Sequence, residues 1–288
     1  MKKLIFLLLS CYSISVHAQQ DVHFSMFWNA YNVFNPAFSG LTHQHFGTLT
    51  YRNQWDGVPG APNSVLATYN AKVNKLHGGL GVNYLYDHIG FTKTHDANVT
   101  YSYHLQVGDS GTLAFGVAAG ITHLSMNPEW IPPTSNYDPL LPGKTRDINF
   151  NMNLGVMYRY RNLLIGISST SVTKPELKLK NWNYTKERHY YLTGAYAFQL
   201  GSRFELKPQA MMQTDAVQIN WDFNLMATYN RRFWLGVSFE TGGTTGSVMA
   251  GWDIRERFRI GYLYEKSWNV LENISKGTHE AVLGILIR

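Results

Sequence analysis

From residue 43 to the C-terminus, apolar side chains recur at every second position, in runs of about ten residues broken by turn formers. Three runs show the pattern best. In 96–107, Ala97, Val99, Tyr101, Tyr103, Leu105 and Val107 share one face, and Asp96, Asn98, Thr100, Ser102, His104 and Gln106 the other. In 147–158, Ile148, Phe150, Met152, Leu154, Val156 and Tyr158 oppose Asp147, Asn149, Asn151, Asn153, Gly155 and Met157. In 218–230, Ile219, Trp221, Phe223, Leu225, Ala227 and Tyr229 oppose Gln218, Asn220, Asp222, Asn224, Met226 and Thr228. The polar faces hold Asn, Thr, Ser and Gln rather than the Lys and Glu of a water-washed sheet. That suits a confined wet lumen. Ten-residue alternating segments separated by turns are the signature of a transmembrane β-barrel.

The pattern predicts an all-β fold, an antiparallel barrel of about fourteen strands, an even number as bacterial barrels have. The strands are expected near 43–55, 63–73, 78–88, 92–107, 111–124, 147–160, 162–173, 187–200, 202–214, 217–230, 231–241, 246–256, 257–268 and 277–288. The connections agree. Longer ones (55–62, 127–146, 174–186, 268–277) alternate with tight ones (74–77, 108–111, 160–162, 201–202, 230–231, 255–257). Outer-membrane barrels place short turns in the periplasm and longer loops outside. The last strand should close on the first, with His279, Ala281, Leu283, Ile285 and Ile287 on one face.

Residues 20–40 break the rule. They carry Phe24, Phe27, Trp28, Tyr31, Phe34 and Phe38 with neither helical nor alternating period. Eight glycines (81, 116, 155, 166, 236, 251, 261 and 284) fall on inward positions of eight strands, and the inward face of 112–120 is small throughout. Glycine relieves curvature strain in a closed sheet. Alternatively, the missing side chains make room for something against the wall, and the aromatic preface is the obvious occupant. Domain organisation follows: 1–18 a signal peptide, 19–42 an irregular segment proposed to plug the lumen, 43–288 the barrel.

Composition narrows the class. Only 15% of residues are charged and 44% are hydrophobic, against roughly 25% charged in soluble domains. No internal run approaches the ~18 apolar residues of a membrane-spanning helix. Lys2 and Lys3, an apolar core at 4–9 and Val16-His17-Ala18 read as an n-region, h-region and cleavage site. Cys11 is the single cysteine. Leu8-Leu9-Ser10-Cys11 loosely resembles a lipoprotein signal, but cleavage after Ala18 would remove it and leave no thiol chemistry. The net charge of +6 becomes +4 without Lys2 and Lys3. With no basic stripe or recognisable module, nucleic-acid binding is excluded.

Trp55, Trp130, Trp182 and Trp268 sit in or beside four different long loops. They form either an interfacial girdle or a docking rim, since Trp is favoured at binding hot spots. The loop 174–186 is also basic, through Lys174, Lys178, Lys180 and Lys186.

With these residues in view, the chain resembles the PorP/SprF family of outer-membrane proteins of type IX secretion and gliding motility. The resemblance runs over nearly all of the mature chain. It rests on Phe34-Asn35-Pro36-Ala37-Phe38-Ser39-Gly40, then on Tyr51-Arg52-Asn53-Gln54-Trp55 with Gly57, Gly60 and Pro62. Asp87-His88-Ile89-Gly90, Asp138-Pro139, Arg188-His189-Tyr190-Tyr191-Leu192, Lys207-Pro208, Trp234-Leu235-Gly236, Gly261-Tyr262-Leu263-Tyr264 and Thr278-His279-Glu280 follow in order. The resemblance implies a diderm outer-membrane location and protein partners. These are a secreted adhesin with a type IX C-terminal domain, and either the type IX translocon or a periplasmic ring lipoprotein; outer-membrane lipid surrounds the barrel. Partner-binding candidates are Trp28, Tyr31, Phe34, Asn35, Pro36, Arg52, Gln54, Trp55, Trp130, Trp182 and Trp268.

No enzyme motif stands out: there is no G-x-S-x-G, H-E-x-x-H or phosphate loop. His43 and His45 would share a strand face, but no acidic or cysteine partner stands at a ligand spacing. Ser102 and His104 also share a face, as polar lumen pairs commonly do. No catalytic residue, metal or cofactor is expected. Against the secretion reading stands a passive channel or FadL-like small-molecule transporter, and behind both an outer-membrane enzyme.

Overall fold

Period-two alternation lets each strand present apolar side chains to lipid and polar ones to the interior while its backbone pairs sideways. The computed structural model, which describes residues 22–127, 143–180, 182–270 and 272–287, realises this. Its strands are β1 (His45–Asn53), β2 (Asn63–Val73), β3 (Gly78–Ile89), β4 (Thr92–Val107), β5 (Gly111–Met126), β6 (Thr145–Tyr160) and β7 (Leu163–Thr170). Then come β8 (Glu176–Leu179), β9 (Trp182–Thr185), β10 (His189–Tyr196), β11 (Phe198–Leu200) and β12 (Phe204–Thr214). The last five are β13 (Ile219–Tyr229), β14 (Phe233–Glu240), β15 (Thr245–Ile254), β16 (Phe258–Ser267) and β17 (Thr278–Ile287).

Neighbouring wall strands pair antiparallel, and β17 returns to β1, from His45↔Ile287 to Asn53↔His279. The ring therefore has no edge, which is what a sheet in hydrocarbon requires. β10 and β11 both pair with β12 in one unbroken register and are two halves of one wall strand, giving a closed 14-stranded barrel. The interruption at Ala197 has a simple cause. In that register Pro208 of β12 faces Tyr196 and has no N–H to donate, so the ladder lapses there. Ala197 still donates to Asn162 O on its other side, at 3.1 Å.

One element was not foreseen. The basic loop between β7 and β10 folds as a β8–β9 hairpin. Leu177 and Leu179 turn inward from it to pack on Leu124, against Tyr184.

The outward positions are apolar and exposed, as a lipid belt demands. At the short-turn end, outward aromatics form Tyr196–Phe198, Phe204–Tyr229 and Phe233–Trp252 pairs at 4.5, 4.9 and 5.5 Å. This is an interfacial girdle. The apolar core lies in the lumen: residues 24–46 supply most of its aromatics, and inward Leu66, Met157, Met211 and Leu263 surround them.

Candidate functional site: the lumen plug

Residues 22–44 lack any sustained period, so they form only single turns: Phe27–Asn29, Tyr31–Phe34 and Pro36–Phe38. Local chemistry sets the last of these. Asn35 is its N-cap, its side chain accepting from Ala37 N at 3.0 Å, and Pro36 occupies the first position, where a missing N–H costs nothing. The segment starts beside the long-loop ends of β13 and β14 and leaves at the short-turn end, where Thr42–Gln44 lead into β1.

Apolar packing fills the middle. Phe27 meets Trp28 and Tyr31 edge-on, Tyr31 meets Phe38, and Phe38 meets Phe46. Trp28 crosses Trp234 at 6.3 Å, and Phe34 packs on Tyr191 at 5.4 Å. The wall recedes to admit this segment. A Cβ at Gly116 would overlap Pro36 and Ala37; at Gly155 it would overlap Asn35; at Gly79 it would overlap Ser39 and Gly40. Gly251 and Gly261 play the same part for Trp234.

Polar bonds fix the height. Asn35 Nδ2 donates to Val156 O and Ile167 O, both at 3.1 Å, tying the plug to β6 and β7. Ser168 Oγ donates to Phe34 O at 2.7 Å. Ser102 Oγ donates to Ala37 O at 2.9 Å, and His104 Nε2 donates to Ser39 O at 3.1 Å. The Ser102/His104 pair thus holds the plug. The His43/His45 expectation also changes. His43 lies before β1 and stacks on Phe46, whereas His45 bonds the outward Tyr69 hydroxyl at 2.8 Å. The two do not converge.

Toward the long-loop end lies an ionic knot. Arg52 on β1 reaches Glu265 on β16 at 2.9 Å and Glu280 on β17 at 3.0 Å, and all three side chains are fully enclosed. Glu280 also accepts from the backbone N–H groups of Ser25 and Met26 at 3.0 Å each, and Ser25 Oγ donates to Glu265. The knot therefore joins the plug to the β1–β17 seam. Nearby, His23 Nε2 lies 2.7 Å from Asp222 and its Nδ1 3.8 Å from Glu240. Burial alone would lower its pKa, but the two carboxylates outweigh that and raise it to about 10. The ligand atoms of these three residues lie within 4.8 Å of one another. A direct His23–Asp222 hydrogen bond already completes the group as an ion cluster.

The eleven partner-binding candidates divide by position. Trp28, Tyr31, Phe34, Asn35 and Pro36 are buried in the plug and Arg52 in the knot. Gln54 and Trp55 lie in the first long loop, where Trp55 N donates to Thr278 Oγ1 at 3.1 Å. Asp56 N and Gly277 O, 2.7 Å apart, join that loop to the one carrying exposed Trp268. Trp182 opens β9; Trp130 and the Asp138-Pro139 pair lie outside the described residues. Sequence reasoning missed Ser25, Gly79, Glu265 and His23. For Glu265 a signal was available: by alternation it shares the inward face of its strand with Gly261.

Known proteins share this architecture. The toluene transporter TbuX of Ralstonia pickettii superposes with a TM-score of 0.54 at 11% identity, over 90% of this chain and 94% of that one. An Acinetobacter baumannii outer membrane protein gives 0.52 at 10% identity, over 86% and 100%. The CymD monoaromatic hydrocarbon channel gives 0.51 at 11% identity, over 88% and 90%. Likeness at such identities is one of fold. No curated protein matches the sequence. The profile of the type IX secretion system membrane protein PorP/SprF, in contrast, matches residues 16–285. The match spans both the plug and the barrel, and the chain belongs to the PorP/SprF family of type IX secretion membrane proteins of the outer membrane.

Proposed function

We propose that this protein is a plugged docking barrel that supports export or cell-surface anchoring of a cognate secreted adhesin bearing a type IX C-terminal domain. The observation carrying this reading is the lumen itself. It is filled by the protein's own residues 24–41, which are buried almost without exception. An occupied lumen is poor for diffusion and good for presenting a fixed surface. In this reading the long-loop rim, with Gln54, Trp55, Trp130, Trp182 and Trp268, meets the partner, because amphipathic Trp makes strong anchors. Trp28, Tyr31, Phe34, Asn35, Pro36 and Arg52 act through the plug that supports the rim from below.

Deleting residues 20–39 tests the reading. The strand ladder does not use them, so the barrel should retain heat-modifiable gel mobility while planar-bilayer conductance rises and adhesin export falls. A large open conductance in the wild-type protein would favour the alternative, a passive channel or FadL-like transporter like TbuX and CymD. Failure of any type IX adhesin to co-purify from native membranes would defeat the docking reading.

A further inference from the structure

Charge is distributed unevenly along the barrel axis. The six short turns with their adjoining strand ends (71–79, 105–113, 158–165, 197–207, 228–234 and 253–259) carry 11 Lys and Arg against 4 Asp and Glu. The whole chain has a net charge of only +6, so the rest is close to neutral. The short-turn mouth is therefore a basic ring.

Inside that ring lies a cavity of about 240 Å³, floored by Trp28, Tyr31 and Phe38 of the plug. Arg203, Lys207, Arg231 and Arg259 contribute to its wall, with Glu205 and Asp253. Asp253 is neutralised: Arg259 holds it through two bonds of 2.8 and 2.7 Å. Glu205 accepts from Gln199 Nε2 at 2.6 Å and keeps its charge near Lys207, so the four cations of the wall face two carboxylates. Among the described residues, Arg203, Lys207 and Arg231 have no carboxylate within ion-pair distance. In the floor, the indole N–H of Trp28 is buried without an acceptor. The pocket has surplus donors and positive charge.

We propose that this mouth is a receptor for an acidic segment of a periplasmic protein, with one Asp or Glu carboxylate entering the cavity between Arg203, Lys207 and Arg231. An extended peptide suits the site better than a lipid headgroup. The three cations line the lumen side of the wall, and a phospholipid anchored in the leaflet outside would have to leave it to reach them. The surrounding turn cations would steer the segment from a distance, which a ring of one sign does efficiently.

The proposal concerns the mouth opposite the adhesin-facing rim, so it stands or falls without reference to export. The test uses the purified full-length barrel in a neutral detergent and a fluorescein-labelled decapeptide of alternating Asp and Glu, followed by anisotropy. Saturable binding that weakens as salt rises is expected. Arg203→Glu/Arg231→Glu, on exposed turns, should weaken it by about tenfold or more. Lys178→Glu/Lys180→Glu, on the hairpin at the other end, should leave it unchanged. Equal loss in both double variants would mean attraction to net charge alone and overturns the proposal. Absence of peptide binding, with dihexanoyl phosphatidylglycerol binding instead, would make the ring a lipid-headgroup contact and also overturns it. Should the turn variants fail to fold by gel mobility, the wild-type salt titration decides: salt-independent or unsaturable binding rejects the site.

Discussion

Replacing Arg52 by Met separates the plug from the barrel energetically. Arg52 is 1% exposed, and its removal leaves Glu265 and Glu280 facing each other with no cation between them. Breaking a buried ion pair from one side costs about 3–5 kcal/mol, mostly because the remaining charge is stranded. Here both acids keep other donors: Ser25 N and Met26 N for Glu280, Ser25 Oγ for Glu265. The loss should therefore fall near the lower end, about 3 kcal/mol. At 1.4 kcal/mol per decade, that is roughly a hundredfold in the ratio of seated to unseated plug. Two assays read the two parts: the thermal midpoint of heat-modifiable mobility for the barrel, and bilayer conductance for the plug. Arg52→Met should lower the first and raise the second. An apolar triple variant, Arg52→Met/Glu265→Leu/Glu280→Leu, has no stranded charge and should recover the thermal midpoint. It should stay conductive, because the N–H groups of Ser25 and Met26 lose their acceptor. Wild-type behaviour of Arg52→Met in both assays, or a triple variant melting below it, would refute the reasoning.

Gly155→Ala places a methyl where Asn35 now sits and should break the two Asn35 bonds to β6 and β7. At roughly 0.5–1.5 kcal/mol per net hydrogen bond, the open-state population should rise about five- to a hundredfold, whereas Gly194→Ala, with nothing within 4 Å of its new Cβ, should be silent. His23 gives a pH signature. Its pKa is raised in the folded state to about 10, so its contribution is complete below the ordinary value of 6.5 and is lost as pH climbs through 10. Conductance of the wild type should grow across that window, and His23→Gln should flatten the rise; an identical slope in the variant would exclude the His23–Asp222 contact as a plug anchor.

The wall was legible because side-chain period translates directly into face. Asp96, Thr100 and Ser102 turn inward and Val99 and Tyr103 outward, as their alternation requires. Two departures were not legible. The β8–β9 hairpin has only Leu177 and Leu179 alternating inward, too short a run to separate from a charged loop. The lapse at Ala197 depends on which residue of the neighbouring strand lies opposite, which alternation does not encode. The same limit governs the site. The sequence marked Gly116, Gly155 and Gly166 as inward, and the structure seats Asn35, Pro36 and Ala37 against them. It could not bring Arg52, Glu265 and Glu280 to one level, because face is readable strand by strand whereas height requires the register between strands.

The path of the plug has a consequence for biogenesis. Its upstream end, at His23, lies toward the outer mouth, while its downstream end passes through Thr42–Gln44 into β1 at the periplasmic mouth. The ring closes through its own strand pairs, so the segment need only be drawn in, not wrapped. The buried arginine stands on the first strand and its two carboxylates on the last two, so the knot forms only once the seam between β1 and β17 has closed. The same carboxylates then take the N–H groups of Ser25 and Met26 and the Ser25 hydroxyl. Sealing of the lumen is thereby tied to completion of the wall: the end of the chain locks its beginning.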